Sequence, residues 1–234
     1  MPQQRTRHWG TSPGQNEVLR ETEHEMDESV PCRQPPSMDT TICRKLIVVG
    51  DNTCGKRSLL YTFCNEEFPE VFVPTAFDGH TVVVETDGKP VELGLFHTDG
   101  QENYDRLRPL NYLGSHVVMI CFAIDSPDSL DNAQEKWILE ARRFCPGISI
   151  ILVGCKKDLR HDPKTIDELC KTNQRPITAE EGISIAQKIG AHCYLECSAK
   201  TGEGVRDVLH YTARASLWRP CGRRKRRKSG CIIL

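Results

Sequence analysis

The chain has 234 residues, 38% of them hydrophobic and 27% charged, enough to bury one sizeable core beneath an ordinary soluble surface. Its formal net charge of -1 conceals an asymmetry: residues 219–234 hold seven Lys or Arg and no acid, while residues 1–43 hold four bases against seven acids. The body carries no basic face that would point to nucleic acid, no run reaches the roughly 18 apolar residues of a membrane span, and the twelve cysteines lack CxxC pairs or an apolar leader, so they read as reduced cytosolic thiols.

Residues 1–43 mix Gln, Glu, Pro and Thr without an apolar period and are expected to be a disordered extension. An apolar run at 46–49 then predicts a first strand, and a helical pattern over 56–65 a first helix. Between them, Gly50-Asp51-Asn52-Thr53-Cys54-Gly55-Lys56 forms a loop whose backbone N–H groups can wrap a diphosphate while Lys56 reaches the outer phosphates. The bland alternative is a glycine-containing turn before a helix. A phosphate loop of this kind wants Ser or Thr directly after the Lys to ligate magnesium. Here Arg57 stands there, and the hydroxyl of Ser58 comes one residue, about 100° of helix, too late.

Strands follow at 82–85 and 91–96, separated by Asp87-Gly88, a dipeptide suited to a tight hairpin. Further strands at 117–124 and 149–153 flank a helix over 129–144, and Thr178-Ala179-Glu180-Glu181 reads as a capping box opening a helix over 179–189. A short strand at 193–195 precedes a last helix over 205–217. The alternation predicts a doubly wound α/β domain with six strands, mostly parallel, helices on both faces and ligands at the carboxyl ends of the strands. Two of those ends carry Cys155-Lys156-Lys157-Asp158 and Cys197-Ser198-Ala199-Lys200.

These two loops resemble the guanine-specificity motifs NKxD and SAK of small GTPases, with Cys155 in place of the usual Asn, which weakens the bracing between loops. Phe68-Pro69-Glu70-Val71 leading to Val73-Pro74-Thr75 resembles switch I, 101–109 resembles switch II, and Asp125-Ser126-Pro127-Asp128-Ser129-Leu130 is also similar. From Arg44 onward the chain resembles the Rho-type small GTPases of the Ras superfamily, the fungal ones above all. The resemblance implies a P-loop NTPase fold over 44–218, with 159–176 as the extra helical insert of Rho proteins. It implies GTP and GDP as ligands, with phosphate contacts from Gly50, Asp51, Asn52, Thr53, Cys54, Gly55, Lys56, Arg57, Ser58 and Gly100. Guanine contacts fall to Phe68, Lys156, Asp158, Ser198, Ala199 and Lys200. Asp158 can accept both the ring N–H and the exocyclic amine, a donor pair that adenine lacks at that place. Gln101 would orient the attacking water and Thr75 would serve Mg2+, with Ser58 a doubtful second ligand. Partners by the same resemblance are Rho-type effectors, exchange factors, activating proteins and the dissociation inhibitor, in control of actin, polarity or cell wall signalling.

Where the family has Asp-Thr-Ala-Gly-Gln, this chain has His97-Thr98-Asp99-Gly100-Gln101. His97 replaces a carboxylate that holds magnesium through water, and a hydrogen-bonded structural role suits it better than metal ligation. Asp99 is a substitute metal ligand or a solvent-facing carboxylate, and it adds negative charge near the γ-phosphate. Asn52 puts a side chain where the family has Gly. Together these changes predict weakened magnesium binding and slow GTP hydrolysis. Arg57 places a fixed cation near the altered metal position, where it can partly neutralise phosphates. The alternative reading is a non-cycling interaction protein that sequesters effectors or exchange factors. Cys54 and Cys155 read as buried small hydrophobes, with redox sensitivity as the competing role.

Cys231-Ile232-Ile233-Leu234 has the C-a-a-X form, whose terminal Leu favours a geranylgeranyl group on Cys231, with the carboxyl methylation that accompanies prenylation in this family. The basic run 223–228 supplies a second signal toward anionic lipids, and Cys221 is a weaker candidate for palmitoylation. The expected location is the cytoplasmic face of the plasma membrane or endomembranes, by a lipid anchor, with a cytosolic pool.

Overall fold

A computed structural model describes residues 41–69, 80–97 and 108–218. Residues 1–40 of the extension expected over 1–43, together with Thr75, Asp99, Gly100, Gln101, Cys221 and Cys231, lie outside the described residues, while Ile42 and Cys43 belong to the first strand.

Six strands, β1 (Ile42–Gly50), β2 (His80–Thr86), β3 (Lys89–His97), β4 (Val117–Ala123), β5 (Ser149–Cys155) and β6 (Cys193–Glu196), form one sheet in the order β2-β3-β1-β4-β5-β6. Only β2 runs antiparallel to its neighbour. Its hairpin to β3 turns on Asp87 and Gly88, both left-handed with φ of 51° and 72°, the conformation a two-residue turn of matching twist requires. The central strands β4 and β5 are buried at every residue, which is why they read as unbroken apolar runs.

Helices α1 (Lys56–Asn65) and α7 (Val205–Leu217) cover one face, where Leu46, Val48, Met119 and Val153 meet Leu59, Phe63 and Val208. The segment after β4 covers the opposite face with α6 (Ala179–Lys188), closing Ile47, Val49, Ile120 and Leu152 beneath Trp137, Ile138 and Ala186. A capping box is present at Thr178 and Glu181. The insert position holds a 3-10 turn (Lys157–His161) and then α5 (Pro163–Lys171), capped by Asp162, whose carboxylate accepts from the Thr165 amide at 2.9 Å.

Three local features differ from the sequence reading. β1 starts at Ile42, because Arg44 ties the strand to α7 through a 3.1 Å bond from its Nε to the Ser216 carbonyl. A single turn, α2 (Arg108–Asn111), precedes β4. The helix expected over 129–144 is broken into α3 (Pro127–Asn132), a π-helical turn (Ala133–Trp137) and α4 (Ile138–Phe144). Such turns interrupt α-helices where a side chain must be re-aimed. Here Trp137 reaches across to Asp51, and Arg108 stacks on its ring while pairing with Glu140 at 3.0 Å.

Gly182 on α6 lies against Tyr194, so a Cβ there would sit 2.2 Å from the phenol ring. Tyr194 cannot retreat easily, being stacked on Phe122 and bonded to Glu196 at 2.6 Å. Overpacking of this kind costs ~1–3 kcal/mol, against a helix-propensity gain for Ala of ~1 kcal/mol. Gly182→Ala is therefore expected to lower the urea midpoint, with a net loss of about 1 kcal/mol in equilibrium denaturation.

Candidate nucleotide-binding site

The first loop is shaped by a close approach. Gly50 has φ 145°, and a Cβ there would lie 2.2 Å from the Cys121 carbonyl oxygen, so the chain can cross the end of β4 only as glycine. The loop then curls round the Lys56 ammonium, which donates to the carbonyls of Gly50 (2.9 Å) and Asp51 (2.5 Å) and lies 3.7 Å from Cys54 Sγ. No side chain caps the amino end of α1, whose N-cap is Gly55, so its amides are left for a ligand. The Asp51 carboxylate faces away, accepting from Trp137 Nε1 and Asn132 Nδ2, each at 2.7 Å. That carboxylate would repel phosphate if it faced inward, and the π turn holds it out.

At the other end, Lys156 adopts a left-handed conformation directly after β5. Its ammonium pairs with Asp125 at 3.1 Å. The fully buried Ser198 hydroxyl donates to Asp158 Oδ1 at 2.6 Å and accepts from the Thr201 amide at 3.1 Å. The Lys157 amide donates to the Cys197 carbonyl at 3.0 Å, tying the two guanine-type loops together. Cys155 meets the first loop by packing: a Cβ on Gly55 would be 3.2 Å from its Cβ.

These loops enclose a cavity of about 500 Å3. Asn52, Thr53, Gly55, Lys56, Arg57, Ser58, Phe68, Lys156, Asp158, Ala199 and Lys200 line it as expected, while Gly50, Asp51, Cys54 and Ser198 stand behind the lining. Leu59, His97, Cys155, Leu159 and Cys197 line it as well. Four of the lining residues, Lys56, Arg57, Lys156 and Lys200, are cations and only Asp158 is an acid, a balance that suits a polyphosphate. Arg57 and His97 occupy the places where a hydroxyl and a carboxylate are expected to serve Mg2+. A guanidinium and an imidazole do not fit an ion that takes oxygen ligands. Among the described residues, no group of three His, Cys, Asp or Glu is placed to hold a metal.

A model of the Ras family matches residues 45–217. GTP-binding protein rho1 of Schizosaccharomyces pombe is 56% identical over 202 residues, covering 84% of this chain and all of that protein. The belonging follows: this chain is a Rho-type member of the Ras family. The similarity extends to GTP-binding protein rho5 of the same yeast, 57% identical over 200 residues and again covered in full. GTP-binding protein RHO1 of Saccharomyces cerevisiae is 54% identical over 202 residues, covering 83% of this Rho-type chain and 97% of its relative.

Two supports of the site in this Rho-type chain escaped the sequence reading. Asp125 was noted only for its resemblance, yet it is the partner of Lys156. Glu196, in the strand before Ser198, takes both ends of the Arg160 guanidinium at 2.6 and 2.7 Å and so fixes the 3-10 turn that carries Asp158. Burial pushes the Glu196 carboxyl up, but hydrogen bonds from Arg160 and Tyr194 win and hold it below the usual range. A depressed carboxylate contributes stability that is present above its unfolded value and lost as pH falls through the folded one. Glu196→Gln is expected to cost about 2 kcal/mol near pH 7. Denaturation as a function of pH should show wild type and variant converging as pH drops below the ordinary glutamate value.

Proposed function

We propose that this Rho-type chain binds guanine nucleotides in the cavity, turns GTP over slowly, and works on a membrane to which Cys231 and the basic run 223–228 attach it. The observation that carries the reading is Asp158, locked through one oxygen by the buried Ser198 hydroxyl while it lines a cation-rich cavity. A carboxylate fixed in this way is preorganised to accept the ring N–H and exocyclic amine of guanine without first losing rotamer freedom. Lys156, held by Asp125, lies along the base, Phe68 closes over the sugar side, and the Ala199 N–H meets the guanine carbonyl. Lys200 adds charge at that end. The amides of 50–58 wrap the phosphates, with Lys56 exchanging its carbonyl partners for phosphate oxygens.

Slow turnover follows from the phosphate end. Mg2+ supplies charge neutralisation in family members, and with Arg57 and His97 at its positions this chain holds it weakly, leaving Thr75 as the main protein donor. The Asn52 side chain takes space that glycine leaves for an attacking water and an arginine finger, and Asp99 opposes a further build-up of negative charge. Gln101 retains the capacity to orient water, so hydrolysis is reduced, not abolished. Family membership makes effectors, exchange factors, activating proteins and a dissociation inhibitor the partner classes, with polarity, actin or cell wall signalling as the setting.

A second reading, a non-cycling interaction protein that sequesters effectors or exchange factors, is favoured by Arg57 and His97 lining the same cavity as Lys56. Nucleotide released from the purified chain and identified by chromatography separates the two. GDP supports cycling, whereas GTP alone or no nucleotide supports the second reading.

Three outcomes are expected. Ser198→Ala frees Asp158 and weakens GDP binding about tenfold, or ~1.4 kcal/mol, in fluorescent-nucleotide titration. In single-turnover assays with and without a Rho-type activating protein, the triple change Arg57→Thr, His97→Asp, Asp99→Ala raises hydrolysis at least about tenfold. Wild-type rates equal to those of ordinary family members would contradict the reading. Cys231→Ser moves the chain from the membrane pellet to the supernatant on fractionation.

A further inference from the structure

Four thiols, Cys54, Cys121, Cys155 and Cys197, gather in one buried cluster beneath the loops of the cavity. The nucleotide contacts proposed above use none of their sulfurs. Each is at most 2% exposed to bulk solvent, yet Cys155 and Cys197 line the cavity itself. A small solute entering the cavity therefore meets these two residues and not the other pair.

The strand register sorts the cluster further. Cys155 stands opposite Ala123 on β4, two residues beyond Cys121, which puts the Cα atoms of Cys121 and Cys155 about 8 Å apart given ordinary strand spacing and rise. A disulfide does not close beyond about 7 Å without backbone movement. On the other side Gly154 pairs with Glu196, and the Cys197 amide continues that ladder to the Gly154 carbonyl at 2.9 Å. Cys155 and Cys197 are thus side by side on neighbouring chains about 5 Å apart, within disulfide range.

Cys155 on β5 lies between Cys121 on β4 and Cys197 at the end of β6. The polar influence of these two neighbouring thiols, and then the charges of Lys56 and Lys156, outweigh burial and hold the Cys155 thiol well below its ordinary value. Burial pushes Cys54 the other way, up to about 11. The thiolate is the nucleophile in thiol chemistry, so Cys155 is the reactive member and Cys54 is not.

We propose that Cys155 is an oxidation site that closes a disulfide with Cys197 on the floor of the cavity when no nucleotide covers it. The oxidant is a hydroperoxide. The Cys155 thiolate attacks the peroxide oxygen, breaking the O–O bond to give a sulfenic acid and, with hydrogen peroxide, a hydroxide ion that takes up the proton Cys155 had released and leaves as water. The Cys197 sulfur then attacks the Cys155 sulfur, forming the S–S bond and expelling the hydroxyl, which leaves as a second water with the Cys197 proton. The covering by nucleotide rests on the guanine-nucleotide reading above; the pairing of the two sulfurs does not.

The test uses the full chain, reduced and then stripped of nucleotide, with a parallel sample whose GDP loading is verified by fluorescent-nucleotide exchange. Both are exposed to hydrogen peroxide, quenched with an alkylating maleimide and mapped by fragmentation mass spectrometry. The expected result is a Cys155–Cys197 link in the stripped chain that forms at least tenfold more slowly in the loaded one. Cys155→Asn, a variant carrying the residue usual in the family, abolishes the link, and Cys121→Ser leaves it. Links among other cysteines first, or thiol loss in Cys155→Asn as fast as in the wild type, would overturn the proposal. A verified GDP complex that oxidises as fast as the stripped chain would overturn the covering role alone. A chain that binds no GDP but forms the link would support the pair while sinking the nucleotide reading.

Discussion

The contact on which the cavity depends is the crossing of Gly50 over the Cys121 carbonyl, where there is no room for a side chain. It lets the first loop lie flat across the end of the central strand and brings the Lys56 ammonium inside the ring of loop carbonyls. The parallel register of β1, β4, β5 and β6 then delivers three loops to one edge of the sheet, as doubly wound folds do. Moving Gly50 outward by the width of a methyl group would separate the first loop from Cys155 and open the floor between the two ends of the site.

Around that contact the two ends are built differently. The end proposed to take guanine is held by short bonds that leave little freedom: Ser198 to Asp158, Asp125 to Lys156, and Glu196 to Arg160. All of these join residues far apart in sequence, so the end is rigid only once the sheet has formed. The phosphate end is defined by charge. Asp51 is turned outward to Trp137 and Asn132, while Lys56 and Arg57 face the cavity. Among the described residues this end has fixed cations facing the cavity and no carboxylate turned toward it, a balance that suits an anion and that underlies the slow turnover proposed above.

Much of this was legible in the chain itself. The apolar runs of β4 and β5 give strands because both faces are buried, and Asp87-Gly88 gives the hairpin because both residues sit at positive φ. The loop at 50–58 was read from residue type and spacing and those at 156–158 and 198–200 from their resemblance to small GTPases, and the structure brings most of these residues to the lining of one cavity. What escaped was non-local or slight. The start of β1 carries Arg44 and Lys45, polar residues that strand periodicity discards but that Ser216 and Leu113 accept through their carbonyls. Five residues of π turn cannot be told from α-helix by an apolar period, and only Trp137 meeting Asp51 reveals the reason for it. The thiol cluster was visible as Cys54 and Cys155 alone; strand register adds Cys121 and Cys197.

The proposal pairs a guanine end whose residues are retained with a phosphate end whose hold on magnesium is weakened. Calorimetric titration of the nucleotide-free full chain with GDP and with ADP, each in magnesium and in a chelator, tests both halves together. The account predicts that GDP binds at least about 100-fold more tightly than ADP, ~2.7 kcal/mol, and that chelation changes the GDP affinity by less than about threefold. Equal affinities for the two nucleotides, or loss of GDP binding in the chelator, would contradict it.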